Sequence, residues 1–282
     1  MNRLPVAQCK GKELDKVPAS KLDKTCKYYA SIKYDGNFVR CGKIDGKVFM
    51  NTRNKPFWCP NVASALETIP LDTFAFDCEY IGESEGKKGD RRYASLTPYI
   101  ANYRNNVDGD LKGKLVVFDF IQPFDTFNFS TRLYMMKDIL LSNLFVQEIF
   151  MLPEFKLLSF DDCLHYANEV IADGWEGVMI KSEHNIYKQG KRINDIIKLK
   201  NRYTLDVRCV AITRGSGKYD GKIGALVCDY KGAVFNVGSG LTDADRSRPA
   251  MDFIGEIIEI EYEQIMDNKP IQPTFVCIRK DK

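Results

Sequence analysis

The run Ser31-Ile32-Lys33-Tyr34-Asp35-Gly36-Asn37-Phe38 sets an amine, a carboxylate and a glycine close together in the chain. A lysine amine attacks phosphorus only when deprotonated, and its ordinary pKa of ~10.4 leaves it protonated at neutral pH. Neighbouring cations or partial burial must lower that value before Lys33 can serve as a nucleophile. Asp35 and a tight turn at Gly36 suit a site holding a nucleotide and a metal, and they equally suit a solvated hairpin end. Further along, Gly174-Trp175-Glu176-Gly177-Val178-Met179-Ile180-Lys181 brings a carboxylate and a flexible glycine to a strand that ends in lysine. In Asp195-Ile196-Ile197-Lys198-Leu199-Lys200, alternation places Lys198 and Lys200 on one face and Ile197 and Leu199 on the other. On a buried face such a pair repels itself unless an anion lies between, and it would depress the pKa of a third lysine nearby. On a solvated face the pair needs no partner.

The elements that must position these residues can be read in order. Residues 1–29 are polar and Lys-rich and read as an irregular lead-in. Residues 37–41 and 47–51 read as strands joined through Asp45-Gly46, a hairpin signal. A short helix is expected after Pro60-Asn61, with Val62, Leu66 and Ile69 on one side. Residues 73–81 alternate as a strand, with Asp77 and Glu79 on one face. The stretch 82–113 is Gly-, Lys- and Arg-rich: a solvated loop or a phosphate-contacting surface. Residues 114–121 read as a buried strand, Ser130 as the cap of a helix, 144–151 as a strand, and Ser159 as the cap of a second amphipathic helix. After Lys200, five short strands and one short helix are expected at 205–212, 225–230, 233–237, 256–262, 274–278 and after Thr242. That inventory fits an oligonucleotide-binding barrel or another small β-barrel.

Composition narrows the class. The chain has 282 residues, 44% hydrophobic and 28% charged, with net charge +3. Such a chain is ordinarily one large or two moderate globular domains, and so small a net charge says little about partners. No apolar run approaches the ~18 residues of a membrane span, and the N-terminus lacks a signal-peptide core, so a cytoplasmic protein is expected. The nine cysteines lie far apart without a Cys-x-x-Cys pair, which argues against a zinc site or a disulfide framework.

Taken in order, Lys33-Tyr34-Asp35-Gly36, Thr52-Arg53-Asn54, Phe76-Asp77-Cys78-Glu79-Tyr80, Val117-Phe118-Asp119, Glu176 to Lys181 and Ile197-Lys198-Leu199-Lys200 resemble the covalent nucleotidyltransferase motifs of ATP-dependent DNA ligases. Arg279-Lys280-Asp281-Lys282 is similar to that family's last motif. The resemblance covers residues 30–282, and the chain looks like the minimal two-domain form found in bacteriophages and other viruses. It implies an α+β chain: a nucleotidyltransferase (adenylation) domain of mixed, mainly antiparallel sheets flanked by helices over 1–203, then an OB-fold β-barrel over 204–282. With no extra N-terminal DNA-binding domain, two domains and their loops would have to grip the substrate.

The resemblance also implies roles. Lys33 would be adenylated by ATP. Ser31, Ile32 and Phe118 would line the adenine, Phe118 by stacking, with Lys181 in the nucleotide-binding set. Glu79 would contact the ribose or a metal, and Glu176 would help hold Mg²⁺, or Mn²⁺ in its place. Lys198 and Lys200 would bind the α-phosphate, Asp35 would act near the 3′-hydroxyl, and Arg53 would grip the 5′-phosphate. Arg279, Asp281 and Lys282 would orient pyrophosphate. The basic stretches Lys87, Lys88, Arg91, Arg92 and Lys188, Lys191, Arg192 are the expected nucleic-acid surface. Where the family carries Arg five residues after the nucleophile, this sequence has Phe38; Arg40, on the same strand face, is the expected substitute. The implied activity is sealing of nicked duplex DNA by a monomer, with RNA-containing duplexes left open. RNA ligase, capping guanylyltransferase and a catalytically silent nucleic-acid-binding protein are the competing readings.

Overall fold

Asp45 and Gly46 both adopt positive φ, 50° and 75°, the combination a two-residue hairpin turn requires. The hairpin they close belongs to the first of two units, Met1–Lys200 and Asn201–Lys282. The computed structural model describes residues 8–123, 126–200, 203–266 and 268–279. Among these, no helix is long and apolar enough to cross a membrane.

The first unit contains β1 (Lys10–Glu13), β2 (Tyr28–Ile32), β3 (Asn37–Ile44), β4 (Lys47–Asn51), α1 (Pro60–Glu67), β5 (Phe74–Gly82), α2 (Thr97–Arg104), β6 (Lys114–Ile121), α3 (Phe129–Leu141), α4 (Leu144–Gln147), β7 (Phe150–Met151), β8 (Lys156–Leu158), α5 (Phe160–Ala172), β9 (Val178–Ser182) and β10 (Arg192–Leu199). The strands form two five-stranded sheets, ordered β4-β3-β5-β6-β7 and β1-β10-β9-β2-β8. Pairing is antiparallel except for β1 with β10 and β6 with β7. Val62, Leu66, Phe76, Phe120, Leu133 and Met136 pack the first sheet against α1 and α3. Tyr28, Ile180, Ile197, Phe160, Cys163 and Val170 pack the second against α5. A smaller cluster, Ala75, Ile121, Tyr187, Ile193 and Ile196, joins one sheet to the other. The chemistry-bearing residues come from both sheets of this unit.

Several expected elements are redrawn. The lead-in 1–29 is not wholly irregular: β1 adds an edge strand beside β10, with Lys10 N–H donating to Lys191 O at 2.8 Å. The helix read from Ser130 is capped instead by Asn128, whose side chain accepts from Thr131 N–H. The strand expected over 144–151 shrinks to β7, because Asn143 caps α4 by accepting from Phe145 and Val146 N–H. The basic stretch after β5 carries helix α2. Ser159 does cap α5, accepting from Asp162 N–H.

The second unit contains β11 (Tyr203–Arg214), β12 (Ile223–Tyr230), β13 (Ala233–Val237), α6 (Asp243–Arg246), β14 (Ile257–Tyr262), β15 (Gln264–Met266), β16 (Lys269–Ile271) and β17 (Thr274–Ile278). Its five-stranded antiparallel sheet runs β13-β12-β11-β14-β17, and a parallel bridge links Ser239 to Thr274. Thr242 and Asp245 form a capping box on α6. Buried Arg246 follows, donating to the Ile223, Gly224 and Gly238 carbonyls at 2.9, 2.5 and 2.5 Å. Together they fix the helix against the sheet, whose core is Val207, Cys209, Leu226, Phe253, Ile258 and Ile260.

Candidate active site

Lys33 follows β2 and continues its ladder with β9: its N–H donates to the Gly177 carbonyl at 2.8 Å. This places the Lys33 side chain against Glu176, whose Oε2 accepts from Lys33 Nζ. Gly177 makes the approach possible. Its φ is +146°, and a Cβ there would stand 2.1 Å from the Leu199 carbonyl oxygen. Only glycine lets the Glu176 segment pass so close to the end of β10. The other Glu176 oxygen lies 4.0 Å from Lys200 Nζ, so one carboxylate stands between two lysines.

Lys198 completes a basic cradle. Burial pushes its pKa down to about 8, and repulsion from Lys33, Arg192 and Lys200 acts in the same direction. Glu79 enters from β5, half-buried. Burial pushes its carboxyl up to about 7; Lys33 opposes that rise and Glu176 adds to it. Glu79, Glu176 and Lys33 therefore lie within electrostatic reach of one another. Among the described residues no group of three or more His, Cys, Asp and Glu gathers to hold a metal. Two coupled carboxylates nevertheless fit a hard divalent cation, which completes its shell with substrate phosphates and water.

The other expected residues are spread over several elements. Ser31 is buried opposite Met179, and Ile32 lies opposite Val178, both on β2. The half-buried Phe118 ring has its centroid 6.3 Å from that of Phe38, over which the exposed Arg53 guanidinium lies at 5.9 Å. Asp35 turns toward the segment after β5: its Oδ2 accepts from Gly89 N–H at 3.0 Å, and its N–H donates to Gly86 O at 2.9 Å. That segment carries Lys87, Lys88, Arg91 and Arg92, so the basic stretch folds onto the Lys33 loop. Lys87 Nζ lies 5.6 Å from the Trp175 ring, which packs edge-on against Tyr34. Lys188, Lys191 and Arg192 are exposed at the entry to β10. In the second unit, Arg279 Nη1 lies 3.3 Å from Asp206 and 3.6 Å from Glu259. Asp281 and Lys282 lie outside the described residues.

Two of the expected residues are buried in ion pairs. Arg40, the expected stand-in for the missing arginine, is only 4% exposed, and its Nε and Nη2 donate to Asp77 at 2.7 and 2.9 Å. It also donates to the Tyr187 hydroxyl. Its strand face is closed off by the 187 loop, so the guanidinium joins β3 to β5 instead of facing a nucleic acid. Lys181, 4% exposed, donates to the Phe118 carbonyl at 2.6 Å and to Asp119 Oδ2 at 2.8 Å. Burial would raise the Asp119 carboxyl, but Arg132 and Lys181 outweigh it and hold the value at about 2. Lys181 therefore pins β9 to β6 beside Phe118 rather than opening toward a nucleotide. Sequence reasoning missed this buried ionic layer, and it missed Glu13, whose Oε1 lies 3.6 Å from Lys200 Nζ. Only the spacing of Glu13 from Lys16 marks it in the sequence.

Comparison with known proteins follows the same division of the chain. A family described as ATP dependent DNA ligase domain matches residues 14–200, and one described as DNA ligase OB-like domain matches residues 214–279. A DNA ligase of Methanococcus maripaludis (strain C7) is 26% identical over 309 residues, spanning 89% of this chain and 52% of its own length. The chain thus spans about half the length of the curated relatives it matches. The solved structure named Pmar-Lig_Pre has the same fold, with TM-score 0.77 and 20% identity over 99% of this chain and 68% of that one. A Lig E DNA ligase, described as binding DNA with a minimal scaffold, aligns with TM-score 0.70 and 22% identity over 96% of this chain and 99% of its own.

Proposed function

The chain belongs to the ATP-dependent DNA ligase family, and on that premise we propose that it seals 3′-hydroxyl/5′-phosphate nicks in duplex DNA. The observation that carries this reading is the Lys33–Glu176–Lys200 arrangement with Lys198 beside it. In the first step Lys33 Nζ attacks the α-phosphorus of ATP. An N–P bond forms, the bond to pyrophosphate breaks, and a proton leaves to solvent. A 5′-phosphate oxygen then attacks the phosphorus of the lysyl-AMP, the N–P bond breaks, and Lys33 regains a proton. Finally the 3′-hydroxyl attacks the activated 5′-phosphorus: a phosphodiester forms, the bond to AMP breaks, AMP leaves and the hydroxyl proton passes to solvent. Each step is a displacement at phosphorus, so positioning and charge neutralisation supply most of the rate.

In this reading Lys198 and Lys200 neutralise phosphate oxygens, and Phe118 stacks on adenine beside Ser31 and Ile32. Glu79 and Glu176 would hold Mg²⁺, which would supply charge neutralisation at the phosphates; Mn²⁺ would suit the same oxygen donors. Asp35 serves the 3′-hydroxyl, Arg53 takes the 5′-phosphate, and Arg279 with Asp281 and Lys282 orients pyrophosphate. Lys87, Lys88, Arg91, Arg92, Lys188, Lys191 and Arg192 contact phosphates, making binding sequence-independent and salt-sensitive. The protein acts as a monomer.

The test is transfer of α-labelled ATP to protein, followed by a panel of nicked DNA, RNA and mixed duplexes. Wild type should form the adduct and seal nicked DNA; Lys33→Ala should do neither. Phe38 in place of arginine makes the RNA-containing arms necessary, and sealing of RNA alone would move the assignment to RNA ligation. Labelling by GTP in place of ATP would indicate capping chemistry.

A further inference from the structure

The lysine cradle has a second carboxylate, Glu13, one residue before the family match begins at Leu14. It stands at the end of β1, where its register partner on β10 is Lys198. The ladder shifts between Gly11 and Lys12, and a Cβ on Gly11 would lie 2.7 Å from both the side chain and the carbonyl of Ile196. β1 therefore rides close against β10 and delivers Glu13 to the cradle from the side opposite Glu176. Its Oε1 lies 3.6 Å from Lys200 Nζ, and the two side chains are 16% and 9% exposed. Its Oε2 accepts from Lys16 Nζ at 2.5 Å, but Lys16 is 59% exposed and is a surface partner. The lysine stem is long and rotamer-rich, so a charge on each side restricts where its ammonium can point.

We propose that Glu13 is a positioning residue for self-adenylation, holding the Lys200 ammonium in the phosphate cradle against the pull of Glu176. This inference rests on the ligase reading above. Without Glu13, the pull on Lys200 shifts toward Glu176, the carboxylate that Lys33 must release before it reacts.

The test is single-turnover lysyl-AMP formation in the intact chain for wild type, Glu13→Gln, Glu13→Asp, Lys200→Ala and the Glu13→Gln/Lys200→Ala double variant. Glu13→Gln keeps shape and removes charge. Its rate constant should fall about tenfold, within the range that misplacement of a reacting group produces. The ATP concentration at half-saturation should not rise, because a competing anion has been removed. Glu13→Asp should recover part of the rate, and Glu13→Gln should change nothing further in the Lys200→Ala background. An unchanged rate in Glu13→Gln overturns the proposal. So does a loss of rate that comes with raised half-saturation and persists in Lys200→Ala, the mark of a merely structural strand. A wild type that forms no lysyl-AMP overturns this inference together with the ligase reading; a competent wild type with an unaffected Glu13→Gln overturns this inference alone.

Discussion

Replacing Lys198 by methionine should make the ligand-free protein more stable and leave it nearly inactive. Burial, joined by repulsion from Lys33, Arg192 and Lys200, pushes the Lys198 ammonium from its ordinary value of 10.5 down to about 8. A drop of that size weighs about 3 kcal/mol against the charged form at pH 7. Solvent screening at a half-buried side chain reduces the recoverable part to about 1–2 kcal/mol. The folded pKa lies below the unfolded one, so between about 8 and 10.5 the unfolded chain binds more protons and stability rises with pH. Below pH 8 the full penalty is present. Methionine keeps the apolar stem and removes the charge at every pH. Calorimetry without nucleotide should therefore show the melting temperature of the first unit raised by about 2–6 °C at pH 7. That gain should shrink as pH passes from about 8 to 10.5. Labelled-ATP transfer should fall at least about 100-fold, as for loss of a group that stabilises charge at phosphorus. A variant less stable than wild type at pH 7, or one whose gain ignores pH, would refute the cradle of mutually repelling lysines.

Three further outcomes are expected. Arg40→Met leaves Asp77 buried without its guanidinium and should cost about 3–5 kcal/mol in urea denaturation. The folded fraction should still bind nicked duplex normally, which a nucleic-acid contact at Arg40 would not allow. Burial, opposed by Lys33 and reinforced by Glu176, raises Glu79 from 4.5 to about 7, so its contribution to stability is full below pH 4.5 and lost as pH rises through 7. Glu79→Gln should remove that decline, seen as a stability difference from wild type that grows from pH 4.5 to 7 and then levels. Reversing charge at exposed Lys188 and Lys191 should weaken nicked-duplex binding and reduce its salt slope by about 2, measured by fluorescence anisotropy across ionic strength. An unaltered slope would place those lysines outside the phosphate path.

The strands most legible in the sequence are those whose local chemistry and tertiary role agree. Lys114–Ile121, Ala233–Val237 and Thr274–Ile278 are apolar or alternating runs bounded by turn residues, and they form strands over those residues. Asp45-Gly46 and Ser159 are local signals that need no distant partner. By contrast, β1 lies in a Lys-rich segment and exists because β10 supplies its hydrogen bonds from far along the chain. Leu144-Phe145-Val146 is an apolar run that suits a strand or a helix, and the Asn143 cap decides between them. Within the site, alternation was enough to bring Lys198 and Lys200 to one face. It could not say which face the other sheet covers, and Arg40 and Lys181 lie where charges are buried in pairs. No short-range pattern reveals that Asp77 and Asp119 wait for them across neighbouring strands.

Intact-mass spectrometry with peptide mapping, after incubation with ATP and magnesium, measures the central claim most directly. Folded wild-type protein should gain the mass of one AMP, carried by the peptide containing Lys33, and Lys33→Ala should gain none. Folded wild type without that gain, or with the AMP on another residue, would contradict it.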